Sequence, residues 1–282
     1  GSATTTLRKI GGHMGKVIED VAQTIELLKE NIAPQFFMGR NDEPMVKFRE
    51  SGHDKSFDMR SRKFSSWLLL FIRKNDGNSS GKRMDYVRDE LVALAHESGE
   101  QRDVFIRIAP VGNVISIDLG RPDYSFIHVS EDGYVINNEC SAAFIRPNKQ
   151  LPLPRPSGCS QNEFIRLFKK WFLGSHEYCF LLLAFMLKSL HRGFGAYAFL
   201  VLSGQQGSGK SVLSEWIKKL IDPSLPPHIP YPRESDDVVV AASNSYLFNF
   251  ENGSGISGEM SDIMCGVATG SGYAKRKLYS DH

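Results

Sequence analysis

Gly204-Gln205-Gln206-Gly207-Ser208-Gly209-Lys210-Ser211 is a complete GxxxxGKS sequence. The apolar run Tyr197–Leu202 precedes it and reads as a strand; Val212–Ile221 follows and reads as a helix. Strand, loop and helix in that order make the motif a phosphate-binding loop. Its glycines let backbone N–H groups converge on phosphate oxygens, and the helix N-terminus adds the positive end of its dipole. In this reading Gly204, Gln205, Gln206, Gly207, Ser208, Gly209, Lys210, Ser211 and Val212 line a nucleoside triphosphate. Lys210 reaches the β- and γ-phosphates, and the Ser211 hydroxyl holds Mg²⁺. The competing reading, a glycine-rich turn before a core helix, leaves the full spacing and both flanks unexplained.

A phosphate loop needs a carboxylate at the end of a neighbouring strand, to hold the Mg²⁺ shell and orient the attacking water. Glu251 is the candidate, because it closes the strand-like run Ser245-Tyr-Leu-Phe-Asn-Phe250. Asn249 interrupts that run, and Asn252 stands where a second acid is common. One acid therefore serves where two are usual, and the hydrolytic base is left open. A surface glutamate at a strand end is the plainer alternative for Glu251. Glu234, Asp236, Asp237 and Asp262 are the other acids in reach, and Asp262 reads as a cap or surface partner.

Working outward, the chain of 282 residues is 41% hydrophobic and 23% charged, with a net charge of +2. That balance is ordinary for a globular protein of one to three domains and too weak to argue for nucleic acid on its own. Cys140, Cys159, Cys179 and Cys265 form no CxxC pair, so they read as reduced packing thiols of a cytoplasmic protein. The most apolar run, Tyr178–Leu187, is too short to span a membrane, so no membrane partner is expected. No signal peptide is visible.

Residues 1–15 read as a disordered start and 16–100 as a helical region, with helices over Val17–Glu30, Ser61–Lys74 and Lys82–Ser98. Period-two runs from Val104 to Arg146, separated by Pro-Val-Gly-Asn and Glu-Asp-Gly turns, make 101–150 a small antiparallel β unit. Pro147, Pro152, Pro154 and Pro156 make 151–160 a stiff linker and the expected boundary. Residues 161–282 then hold two helices, the phosphate loop and its helix, a further short helix at Asp236–Ala242, the Glu251 strand and a helix at Ser257–Thr269. Strands alternating with helices around such a loop predict an α/β class with a parallel-sheet core.

Lys275-Arg276-Lys277 lies between Tyr273 and Tyr279 and follows Gly270-Ser-Gly272. Cations beside aromatics suit a single-stranded nucleic-acid backbone, although a solvated charged edge is the commoner meaning of such a run. Arg60, Arg62 and Lys63 form a weaker cluster.

Leu202–Ser211, Leu220-Ile-Asp-Pro223, Ala241–Ser245, Phe250-Glu-Asn252, Ser254-Gly-Ile256, Ala268-Thr-Gly270 and Arg276–Asp281 together resemble a family of phage, prophage and mobile-element P-loop ATPases. The pattern is similar to the superfamily 3 helicase part of primase-helicases, with a looser echo in Arg60–Arg62, Asp118–Asp123, Gly133–Val135 and Leu151–Pro154. The resemblance implies an AAA+-like core that uses ATP and Mg²⁺ and acts as a ring on DNA during element replication. It places Lys210 and Ser211 on the phosphate loop, Glu251 on the Walker B acid, and Lys275, Arg276 and Lys277 in a DNA-contacting region. The family's sensor Asn and arginine finger lie beyond His282, so a C-terminally truncated core of low activity is expected. The alternatives are a nucleotide-dependent regulatory or oligomerisation module without unwinding, and a small-molecule kinase, for which no arginine-bearing lid is visible.

Overall fold

The computed structural model describes residues 18–75, 81–171, 175–191, 195–251, 253 and 255–269. The stretch 1–15, Asn252, and Lys275, Arg276 and Lys277 lie outside the described residues. The chain divides into two compact units. The first runs to Phe105 and takes in Asp123–Ser125 and Asn137–Ile145; the second takes in Ile106–Pro122, Phe126–Ile136 and the chain from Arg146.

In the first unit, helix α1 (residues 18–32) leads into strands β1 (Gln35–Gly39), β2 (Pro44–Glu50) and β3 (His53–Asp58). Helices α2 (Arg62–Asn75) and α3 (Gly81–Glu97) and strand β4 (Gln101–Arg102) follow. The sheet order is β3-β2-β1-β4, with β1 antiparallel to β2, β2 antiparallel to β3, and β4 parallel to β1. Val46 and Phe48 point from β2 into a core made with Leu28 of α1, Phe64, Leu68 and Ile72 of α2, and Val87 and Leu91 of α3. Trp67 closes this core over Phe48, ring centroids 4.5 Å apart. On the opposite face Phe37 and Met45 pack with Ala143 and Val104, where β5 (Val104–Phe105) pairs in parallel with β10 (Ala143–Phe144).

The wholly helical reading of 16–100 is corrected here, since 35–58 is a three-stranded meander. Its turns are set by Asp42 at φ +61° and by Ser51-Gly52 at +52° and +82°. Apolar side chains fill both faces of β1 and β2, which hides the period-two signal.

In the second unit, β6 (Ile108–Val111), β7 (Val114–Asp118), β8 (Phe126–Ser130) and β9 (Gly133–Asn137) form a sheet in that order, antiparallel from β6 to β8. Helices α4 (Gln161–Trp171), α5 (His176–Leu190) and α6 (Lys210–Ile221) share one core through Phe168, Leu182, Ile217 and Ile221, joined by Ile108 of β6. Beyond them come β11 (Ile229–Pro230), α7 (Ser235–Asn244), β12 (Phe250–Glu251) and α8 (Gly258–Thr269). Val238, Met260 and Ile263 join α7 to α8.

The class is therefore mixed α/β with several small, mostly antiparallel sheets. The expected extended parallel core is absent among the described residues. The parallel pairing in this part of the chain is the two-stranded pair β11–β12, in register Ile229↔Phe250 and Pro230↔Glu251. Tyr197–Leu202 is no strand: among the described residues no strand lies beside it to complete a ladder. It runs extended, with Leu200 half-buried against the core and Val201 79% exposed, and Tyr197 N donates to Ala268 O at 2.7 Å.

Proline-rich Leu151–Pro154 is tied to its neighbours by backbone bonds from Leu151 N to Pro223 O and from Leu153 N to Leu119 O, both 2.8 Å. Arg107 secures the same region. Its side chain is fully buried, and its backbone sits at φ +62°, a left-handed conformation that costs roughly 1–3 kcal/mol for a non-glycine residue. Its guanidinium donates to Asp222 Oδ1 (3.1 Å), Asp118 O (2.9 Å) and Leu151 O (2.7 Å).

Candidate functional site

Gly204–Gly209 forms a solvent-facing loop that runs directly into α6. Gly204 (φ +152°), Gly207 (+81°) and Gly209 (+83°) hold positive-φ backbones that L side chains rarely adopt. A Cβ at Gly204 would also meet Ser208 Oγ at 3.0 Å. The bend these glycines allow leaves α6 starting at Lys210 with Gly209 as its cap and no side chain bonded to the first-turn amides. Those amides have no partner inside the helix, so they are free to bind an anion.

Lys210 curls back over the loop. Its Nζ donates to Gly204 O (2.8 Å), Gln205 O (2.7 Å) and Ser208 Oγ (3.3 Å). Gln205, Gln206 and Ser208 lie in the exposed bend, Ser211 follows in the first turn of α6, and Val212 is 51% exposed.

Glu251 ends β12 with its side chain 43% exposed. Oε1 lies 3.3 Å from His228 Nδ1, and the other ring nitrogen, Nε2, lies 2.9 Å from Ser214 Oγ. Ser214 sits one helical turn past Ser211 and donates to the Ser211 carbonyl at 3.0 Å. Asn249 Nδ2 donates to Ser214 O at 2.9 Å. The structure thus brings Ser211 and Glu251 to the same end of α6, linked through Ser214 and His228.

Sequence reasoning missed both linking residues. His228 lies in a proline-flanked segment that carries no motif, and Ser214 reads as a helix filler. Asn249, which looked like a break in an apolar strand, bonds Ser214 of α6.

These residues fit Mg²⁺ and a polyphosphate by the chemistry of their donors. Mg²⁺ typically takes one or two protein oxygens together with phosphate oxygens and waters, and the Ser211 hydroxyl and Glu251 carboxylate are of that kind. Among the described residues no group of three or more His, Cys, Asp or Glu is placed to hold a metal by itself.

The far end of α6 is anchored by buried charge. Asp222 Oδ2 accepts from Lys218 Nζ (2.7 Å) and from the amides of Tyr246 (2.9 Å) and Leu247 (3.1 Å), while Oδ1 takes Arg107. Burial pushes the Lys218 ammonium below its usual value, and Asp222 opposes that shift. Arg107 is lowered in the same way, again against Asp222. Asp118, bound bidentately by Arg146 at 2.6 and 2.7 Å, extends the network.

Of the weaker basic group, Arg60 is turned onto Asp42 O at 3.2 Å. Among the described residues no helix is long and apolar enough to cross a membrane.

Residues 165–282 match a family model described as actinomycete integrative conjugative element replication protein. The matched stretch holds the loop, α6, His228 and Glu251, and it is similar to a mobile-element replication protein. No match was found among curated proteins or among solved structures.

Proposed function

We propose that the second unit binds ATP with Mg²⁺ and drives a DNA helicase or translocase in the replication of a mobile element. The observation that carries this reading is the chain of contacts Ser211–Ser214–His228–Glu251, whose last link is the 3.3 Å approach of His228 Nδ1 to Glu251 Oε1. It sets an acid from a distant strand beside the helix that a phosphate-binding sequence opens.

In this reading the backbone of Gly204–Gly209 and the first amides of α6 hold the phosphates. Lys210 leaves its carbonyl partners for phosphate oxygens, and Val212 flanks the nucleotide. The Ser211 hydroxyl and Glu251 would hold Mg²⁺, which supplies charge neutralisation on the phosphates when bound. Glu251 also orients water. Single-stranded DNA is the expected partner, which the match of residues 165–282 to a replication family supports. Ring assembly is part of the same proposal.

The test is calorimetry of ATP·Mg²⁺ binding. Lys210→Ala removes a charge-assisted contact worth about 1.5–3 kcal/mol, so affinity falls roughly ten- to a hundredfold. Equal affinity for wild type and variant rejects the site. The alternative, a nucleotide-gated regulatory or oligomerisation module, is favoured by Asn252 standing where a second acid is common. Turnover stimulated by single-stranded DNA separates the two.

A further inference from the structure

We propose that His228 is a positioning residue that fixes the Glu251 carboxylate toward the start of α6. The inference rests on the nucleotide-site reading above and adds to it a residue that no motif marks.

A glutamate at the end of a two-residue strand, with its side chain nearly half exposed, has several rotamers open to it. His228 removes that freedom. Its side chain is only 12% exposed, and both ring nitrogens are engaged. Nδ1 faces Glu251 Oε1 at 3.3 Å and Nε2 faces Ser214 Oγ at 2.9 Å. A carboxylate only accepts, so it is a proton on Nδ1 that would draw Glu251 to the ring.

The ring is placed by backbone as well as by side chains. Ile229, the next residue, pairs with Phe250, and Ile229 N donates to Asn249 O at 2.9 Å. Asn249 in turn donates to Ser214 O at 2.9 Å. Histidine, acid and helix are therefore clamped as one group. Ser214 Oγ, with one proton to give, lies within reach of both Nε2 (2.9 Å) and the carbonyl of Ser211 (3.0 Å), the residue that in this reading offers its hydroxyl to Mg²⁺. An ordinary surface histidine would have neither the double engagement nor the burial.

The experiment reads binding rather than turnover. A fluorescent ATP analogue is titrated against the full 282-residue chain with and without Mg²⁺, for wild type, His228→Ala, His228→Asn, Glu251→Gln and the His228→Ala/Glu251→Gln double variant. Melting curves check that each is folded. His228→Ala should weaken the Mg²⁺-dependent affinity about fivefold, the scale of one net hydrogen bond, and leave the Mg²⁺-free affinity within about twofold. The double variant should be no weaker than Glu251→Gln alone. His228→Asn keeps a donor near the Nδ1 position and should recover most of the loss.

Additive losses, an equal loss without Mg²⁺, or an asparagine variant no better than alanine would each overturn the assignment. If His228→Ala proves unfolded, His228→Leu, which keeps the bulk and removes the donor, takes its place in every comparison. A wild-type chain that binds no nucleotide would sink the site reading and this inference together, whereas normal wild-type binding with an unaffected His228→Ala would sink this inference alone.

Discussion

Arg107 Nε and Asp222 Oδ1 lie 3.1 Å apart with side chains 0% and 2% exposed, and they join the start of β6 to the end of α6. Asp222 is the carboxylate that pairs with both Arg107 and Lys218. Asp222→Asn keeps an acceptor but strands two buried cations. Breaking a buried pair this way costs about 3–5 kcal/mol. Urea unfolding of the variant should show that loss, and one below about 1 kcal/mol would mean the network relaxes or hydrates easily.

Gly207 offers a clean test of backbone conformation. It sits at φ +81°, and nothing lies within 4 Å of an added Cβ. Gly207→Ala therefore meets no clash and pays only the left-handed backbone cost of about 1–2 kcal/mol. The bend is already present without ligand, so the cost falls on the folded state: the melting temperature should drop, while calorimetry shows ATP affinity within about twofold of wild type. A large loss of affinity with an unchanged melting temperature would mean that the loop relaxes in the free protein and is bent only when nucleotide binds.

The first unit should lose stability in acid partly through Glu50. Burial alone would raise this carboxyl, but hydrogen bonds from Lys55 Nζ (2.6 Å) and Trp67 Nε1 (3.2 Å) outweigh it and hold it below the usual range. A carboxyl depressed in the folded state stabilises fully above its unfolded value of about 4.3, and that contribution disappears as pH falls through the folded value. Asp58, raised by burial, works in the opposite sense. Glu50→Gln should flatten the acid limb of the stability curve below about pH 4.5; an unaltered limb would assign the acid sensitivity elsewhere.

For DNA, the expectation rests on Lys275, Arg276 and Lys277. Replacing all three with alanine should weaken single-stranded DNA binding whatever its sequence, and lower the salt slope by about 0.7 per lost phosphate contact. Nucleotide affinity should stay the same. Fluorescence anisotropy at several salt concentrations reads both effects, and an unchanged slope would remove this segment from the DNA interface.

Particular residues show what the sequence could and could not display. α2 and α3 were legible because Phe64, Leu68 and Phe71, and Val87 and Leu91, repeat on one buried face. β1 and β2 were not, because Phe37 and Met45 bury one face while Val46 and Phe48 bury the other. The bend at Gly204–Gly209 before α6 was legible because its glycines lie close together in the sequence. Glu251 could be named only as the end of an apolar run, and just Phe250 and Glu251 of that run are strand. His228 and Ser214 were invisible, since their meeting depends on the pairing of Ile229 with Phe250 across an intervening helix. Parallel pairing between distant segments leaves no local pattern to read.

Lys210 spends its donors on two neutral carbonyls of its own loop. A ligand must therefore outbid these internal acceptors before it gains the ammonium. A polyphosphate can, because charge-assisted bonds are roughly twice as strong as neutral ones and it also reaches the helix amides. A small, weakly basic anion has less to offer in exchange. If the loop binds nucleotide as proposed, this exchange sets a threshold that favours a ligand with several phosphates in a row over simple anions.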